Sequence, residues 1–222
     1  MNLDLFASSF ESGVLKTEIA PQAWHLAGFV GDRDVQIKDE IDNIIRQAPL
    51  RQMKTPGGQL MSVRMTSCGD LGWVSDQGGY RYQGHDPLTD SPWPRMSELF
   101  RALACRAAEQ VGFKYFQPDS CLINSYSQGT RLSLHQDKDE DDFLQPIVSV
   151  SLGLPVTFIF GGLTRSAAQV HLALQHGDIV VWGGESRLAY HGVLPLAQGQ
   201  HPLFGRQRIN LTFRCAKRLS GE

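Results

Sequence analysis

Net charge, paired cysteines and unbroken apolar runs are all scarce in this sequence. Its 21 Lys and Arg nearly balance 23 Asp and Glu, for a formal net charge of -2. Bulk charge therefore cannot hold a polyanion, and any nucleic-acid partner would need a local basic patch. The four cysteines, Cys68, Cys105, Cys121 and Cys215, include no C-x-x-C pair. A chain of 222 residues, 41% hydrophobic, buries enough core to fold without covalent staples, so a reduced, cytoplasmic setting is expected. The longest apolar stretch, Pro146 to Leu163, is interrupted by Ser149, Ser151, Gly153, Pro155 and Thr157. It reads as two strands and a turn, which argues against a membrane span. The opening MNLDLFASSFESGV has neither a basic start nor a long apolar centre, so it makes a poor signal peptide. Repeats, low-complexity tracts and linkers are also missing. A single domain over 1–222 is expected, with 1–20 an undetermined N-terminal segment.

What is present begins with two helices. Asp34 can cap one that runs to about Ala48, with Val35, Ile37, Ile41, Ile44 and Ile45 as its apolar stripe. A second is expected from about Met96 to Val111, after Pro94, with Leu99, Leu103, Ala107 and Val111 on one side and Gly112 as the stop. From Cys121 the texture changes to short β-rich runs: Cys121–Tyr126, Arg131–Gln136, Ile147–Leu152, Val156–Phe160, Gln169–Leu174, Ile179–Trp182, Tyr190–Val193 and Arg208–Arg214. Turn signals such as Gln128-Gly129 and Gly183-Gly184 separate them. Eight strands so spaced suggest a jelly roll, making the chain mainly β with flanking N-terminal helices. The Gly-, Tyr- and Arg-rich stretch Gly57 to Gln83 reads as strands and loops covering the barrel mouth.

His135-Gln136-Asp137 is an H-x-D motif in a predicted strand. Residues i and i+2 there share a face, roughly 6.5–7 Å apart, so an imidazole and a carboxylate can converge on one ion. His191 lies in another predicted strand. Two histidines and one carboxylate leave three metal positions open, the arrangement Fe(II) oxygenases use for dioxygen and a chelating cosubstrate. H-x-D alone is a weak pattern. A second copy, His176-Gly177-Asp178, carries a central glycine between β runs and reads as a tight turn. His25, His85, His171 and His201 read as surface or core histidines.

The segment Arg208–Arg214 alternates strictly. Arg208, Asn210, Thr212 and Arg214 share one face; Ile209, Leu211 and Phe213 share the other. That polar face either meets solvent or turns into the barrel, where two guanidiniums would bind a dicarboxylate. The alternation leaves both open.

Five strings carry a resemblance: CLINSYSQG (121–129), LSLHQDKDE (132–140), PIVSVSLGLP (146–155), HGDIVVWGGESRLAYHG (176–192) and RINLTFR (208–214). With TPGGQLMSVRMTSCGDLGW (55–73) upstream, their order and spacing from about Pro21 to Arg214 resemble the AlkB family of Fe(II)/2-oxoglutarate-dependent nucleic-acid dealkylases, particularly its bacterial members. The resemblance implies a double-stranded β-helix of the cupin-like kind, with a nucleotide-recognition lid over about 51–92. It implies His135, Asp137 and His191 as iron ligands, and Asn124, Tyr126, Arg208, Asn210 and Arg214 as the 2-oxoglutarate site. Trp73 would be the platform on which the base stacks, with His135 on the other face, and Asp139 the carboxylate at the base edge. Met65, Tyr80, Tyr82, Ser133 and Arg165 would line the base pocket.

The activity so implied is oxidative removal of alkyl groups from bases such as 1-methyladenine and 3-methylcytosine. Fe(II), O2 and 2-oxoglutarate are consumed or used, and succinate, CO2 and an aldehyde are released. The expected partner of this monomer is alkylated single- or double-stranded DNA, with RNA an alternative. A carboxylate at Asp139 would favour a cationic damaged base, and an indole would add cation–π attraction of roughly 2 kcal/mol when desolvated. Arg51, Lys54, Arg64 and Arg81 are candidate phosphate contacts. Rival readings are demethylation of a normal RNA modification or of a protein side chain, a zinc hydrolase, and a silent metal-containing nucleic-acid binder.

Overall fold

A computed structural model describes residues 15–217, so most of the expected 1–20 segment, including the opening weighed as a signal peptide, lies outside the described residues. The first half carries strands β1 (Leu15–Ala20), β2 (Ala23–Ala27), β3 (Arg51–Lys54), β4 (Leu60–Gly69), β5 (Gly72–Asp76), β6 (Gly79–Gln83), β7 (His85–Asp86) and β8 (Ser91–Pro92). Helices α1 (Asp34–Gln47) and α2 (Glu98–Gln110) interrupt and follow them. The second half is β9 (Ser120–Tyr126), β10 (Leu132–His135), β11 (Ile147–Gly153), β12 (Val156–Phe160), β13 (Val170–Leu174), β14 (Ile179–Trp182), β15 (His191–Val193) and β16 (Arg208–Arg214). All eight expected strands are present, each within two residues of its expected bounds. No described helix is long and apolar enough to cross a membrane.

Twelve of the described strands form two antiparallel sheets, and β5-β6 and β7-β8 are separate two-stranded pairs. The larger runs β1-β2-β14-β11-β16-β9-β4-β3 and the smaller β10-β15-β12-β13. Period-two alternation sorts side chains into two layers. Ile123, Val148, Val150, Leu152, Ile209, Leu211 and Phe213 face outward to Ile37, Ile41 and Ile44 of α1 and to Phe100 and Leu103 of α2. Each such buried side chain contributes about 1.5–3 kcal/mol. Leu122, Tyr126, Val156, Phe158, Trp182 and Val193 fill the space between the sheets. The fold is thus the jelly roll expected, with both helices on one outer face.

Several local expectations are corrected. Asp34 is the first helical residue, not the cap: a 3-10 turn (Gly31–Arg33) leads directly into α1, and within the helix the Asp34 side chain accepts from the next amide, Val35 N. Val35 is exposed, because it falls off the stripe that Ile37, Ile41 and Ile44 make. α2 starts later than expected, where Ser97 Oγ accepts from Phe100 N as a side-chain cap. Its fully buried side is Phe100, Leu103, Ala104, Ala107 and Ala108, with Leu99 and Val111 only partly covered. Gly112 does end it, at φ +93°.

The second H-x-D is a turn, with Gly177 at φ +86°. His25, read from the sequence as a surface or core histidine, has a carboxylate partner, and so does His176 of the turn. The Asp178 carboxylate accepts from Gly28 N and Gln175 N and bonds His25 Nε2 at 3.0 Å; His176 Nδ1 accepts from Gly153 N and its Nε2 faces Asp34. This cluster ties β2, β11 and α1 to the turn before β14.

The region over the barrel mouth divides. β3 and β4 continue the large sheet by pairing with each other and with β9. β5 and β6 form a separate hairpin. Its base is set by close packing: a Cβ on Gly72 would lie 2.2 Å from the buried Trp93 ring.

Candidate metal and cosubstrate centre

β10 ends at His135, so Asp137 lies just beyond it, two residues on. β10 pairs with β15 at His135↔His191, which puts both imidazoles on adjacent strands with ring centres 4.4 Å apart. Gly192 permits that approach. A Cβ there would lie 2.8 Å from the Leu132 carbonyl oxygen, a backbone atom that cannot yield. The donor atoms of His135, Asp137 and His191 all lie within 4.8 Å of one another. His135 Nε2 is 3.7 Å from Asp137 Oδ1 and His191 Nε2 is 3.8 Å from Oδ2.

The tautomers suit a metal. His135 Nδ1 is 2.9 Å from the Ser133 carbonyl and His191 Nδ1 is 3.0 Å from the Ala189 carbonyl. A carbonyl can only accept, so each Nδ1 carries the proton and each Nε2 offers a lone pair towards Asp137. Burial, then repulsion from His135, pushes His191 down to about 4, so it is neutral at pH 7. Burial alone would raise the Asp137 carboxyl, but Arg214, His191 and His135 hold it well below the usual carboxylate range. Two imidazoles and one carboxylate fit a divalent ion of intermediate softness with positions to spare.

Beside this trio a cavity of about 620 Å³ opens between the sheets. The polar face of β16 turns into it, which decides the question the alternation left open: Arg208, Asn210, Thr212 and Arg214 are all buried cavity-lining residues. Arg208 lies 4.9 Å over the Tyr126 ring and gives Nη2 to Ser151 Oγ. Its Nε and Nη1, and Nη1 of Arg214, have no hydrogen-bond partner among the described residues. A buried guanidinium so placed costs several kcal/mol. Burial accordingly pushes Arg208 below its ordinary value, with Tyr126 opposing. Arg214 donates Nε and Nη2 to Asp137 Oδ2, at 2.9 and 2.6 Å. Burial disfavours its charge, but Asp137 foremost, with Tyr82 and Glu140, raises it above the usual arginine range. Asn210 bonds Ser149 Oγ and accepts from Asn124 Nδ2, which places Asn124 on the same wall.

Met65, Trp73, Tyr80, Tyr82, Ser133, Asp139 and Arg165 all line the same cavity. Trp73 and Tyr80 stack across the hairpin at 5.5 Å and 15°. The Trp73 indole Nε1 donates to Asp139 Oδ2 at 2.8 Å. Arg165 gives Nη1 to the Leu134 carbonyl and lies over the Tyr190 ring. Of the phosphate candidates, Arg51 is paired with Asp86 and Arg81 with Asp76, while Arg64 donates to the Leu50 carbonyl. Exposed Arg131 and Lys138 line the cavity instead. Sequence reasoning also passed over Glu140 and Arg187, a buried pair at 3.0 Å. Glu140 sits in a run of acids that looks solvated, and Arg187 has no patterned neighbours; neither carries a sequence signal.

Residues 22–214 match the model of the 2OG-Fe(II) oxygenase superfamily. The chain is 53% identical over 214 residues to the alpha-ketoglutarate-dependent dioxygenase AlkB of Salmonella typhimurium, covering 96% of this chain and 98% of the relative. It is 52% identical to AlkB of Escherichia coli over the same lengths. Among solved structures it is similar to OsALKBH1, with TM-score 0.78 and 26% identity over 90% of this chain and 99% of that one. The coordination trio, the buried arginine face and these likenesses agree, and the chain belongs to the 2OG-Fe(II) oxygenase superfamily, within its AlkB group.

Proposed function

We propose that this protein removes alkyl groups from nucleic-acid bases by Fe(II)- and 2-oxoglutarate-dependent oxidation. The observation that carries it is the pairing, in one cavity, of an N,N,O donor trio with two buried arginines, each keeping at least one nitrogen without a partner among the described residues. A binder or a hydrolase would have no use for the arginines. His135, Asp137 and His191 would hold the iron. Arg208, reached through Ser151 and Tyr126, would take the distal carboxylate of 2-oxoglutarate, and Arg214 the carboxylate beside the keto group. Asn124, Tyr126 and Asn210 complete that wall. When bound, the iron, O2 and 2-oxoglutarate together supply the oxidising power that turns an N-alkyl C–H into C–OH, with succinate and CO2 as co-products.

The chain's own residues select and orient the base. Trp73 offers an indole face, and its N–H fixes Asp139 at the cavity, so platform and carboxylate move as one unit. A base methylated at adenine N1 or cytosine N3 is cationic. Asp139 and the indole favour it over the neutral parent. A buried site can be reached only by a base that has left its stack, which a damaged base does more cheaply. Arg131, Lys138 and Arg165 at the rim supply the local basic patch that net charge does not. The β5–β6 hairpin serves as the nucleotide-recognition cover.

Anaerobic addition of Fe(II) and 2-oxoglutarate should give a metal-to-ligand charge-transfer band. Oligonucleotides carrying 1-methyladenine should then release formaldehyde in air. A band without release on DNA or RNA would move the substrate to a protein side chain; no band would remove the cosubstrate site.

A further inference from the structure

Glu140 is a buried carboxylate with only 1% of its side chain exposed, although Asp141 beside it is exposed. Such a group persists only when fully paired and bonded. Its partners come from three different parts of the chain. Oε1 accepts the Tyr82 hydroxyl of the hairpin at 2.6 Å and lies 3.4 Å from Arg214 Nε. Oε2 accepts from Arg187 Nη2 at 3.0 Å. Arg187 also gives Nη1 to the Asp137 carbonyl and Nε to the Gln145 carbonyl, clamping both ends of the loop that carries Asp137.

Arg214 therefore stands between two carboxylates. Its Nε and Nη2 are on Asp137, and Glu140 Oε1 is the second acceptor within 3.4 Å. Which carboxylate claims the guanidinium depends on Oε1. While the Tyr82 hydroxyl occupies it, Glu140 is satisfied and Arg214 stays aimed at the metal trio and cavity. When the hairpin withdraws, Oε1 loses its shortest bond, and Arg214 Nε is the donor beside it.

We propose that Glu140 is a positioning residue that couples closure of the β5–β6 hairpin to the orientation of Arg214. A closed cover sets Arg214 for a carboxylate ligand; by linkage, a bound ligand holds the cover closed. The inference rests on Arg214 as a 2-oxoglutarate contact, and the test separates the two.

The full-length protein is titrated with 2-oxoglutarate by calorimetry, with Mn(II) in place of iron. Amide hydrogen exchange over residues 72–83 is followed with and without the ligand. Wild type should bind and gain protection in the hairpin. Tyr82→Phe and Glu140→Gln should each weaken binding about tenfold, as expected for loss of a hydrogen bond to a charged group. Ligand-dependent protection of the hairpin should vanish in both, and the double variant should be no worse than Glu140→Gln. A merely structural role would lower thermal stability yet leave that ligand-dependent protection in place, which overturns the proposal. So would wild-type affinity in Tyr82→Phe, which removes one hydroxyl and decides the matter if Glu140→Gln does not fold. Failure of the wild type to bind 2-oxoglutarate would instead overturn the cosubstrate reading beneath it.

Discussion

Replacing Arg208 with Met should separate the fold's needs from the ligand's. Arg208 is 1% exposed, and its Nε and Nη1 have no partner among the described residues. Exchanging a buried ionic group for an apolar one of similar size is often neutral or stabilising, by about 1–4 kcal/mol. Against that stands the Ser151 hydroxyl, which loses its 2.9 Å donor at a cost of about 1 kcal/mol. The ligand-free variant should thus melt at the wild-type temperature or somewhat above it, each 1 kcal/mol moving Tm by about 2–4 °C in a chain this size. Binding should move the other way. A guanidinium that meets a carboxylate makes two charge-assisted bonds, each worth about 1.5–3 kcal/mol, so 2-oxoglutarate affinity should fall by roughly a hundredfold to ten-thousandfold. Calorimetric unfolding without ligand and anaerobic 2-oxoglutarate titration with Fe(II) measure the two effects. A lower Tm together with unchanged affinity would refute the reasoning, because Arg208 would then be a structural cation.

Other perturbations follow from the same geometry. His135→Ala should abolish metal binding and turnover with little change in Tm; if His176→Ala does so instead, the wrong H-x-D has been assigned. Asp137→Ala should abolish activity and also destabilise the ligand-free fold by about 3–5 kcal/mol, since it strips Arg214 of its closest carboxylate; denaturant unfolding reads the difference between these two variants. Asp139→Asn keeps an acceptor for the Trp73 indole but loses the charge, so kcat/KM should drop more on 1-methyladenine and 3-methylcytosine oligonucleotides than on neutral etheno adducts; equal losses would make Asp139 structural. At Asp178, burial would raise the carboxyl, but the hydrogen bond to His25 and those from the Gln175 and Gly28 amides lower it below 3.8. Its stabilising contribution is therefore present above the unfolded carboxylate value and lost as pH falls through the lower folded one. Asp178→Ala should cost about 1–3 kcal/mol at pH 7 and flatten the loss of Tm below pH 4; an unchanged acid limb would show that the carboxylate does not titrate with folding.

Eight of the barrel strands were legible in the sequence because period-two alternation and glycine turns are local properties, written wherever one face of a strand is buried. The same holds for the Gly177 turn, which kept the second H-x-D from being read as a metal site, and for the motif strings that identified the family. Local signals run out where both faces of an element are buried. The alternation of Arg208–Arg214 is the same for a solvated face and a cavity wall; only the small sheet, laid across the large one, made it a wall. Glu140 and Arg187 show the limit most plainly. A buried ion pair is defined by distance in space between residues 47 positions apart, and nothing in the run Asp137–Asp142 marks which acid will face inward. Composition and pattern decided the layers and the chemistry available. Register between β10 and β15, and the burial that removes water from every charge in the cavity, decided where that chemistry converges.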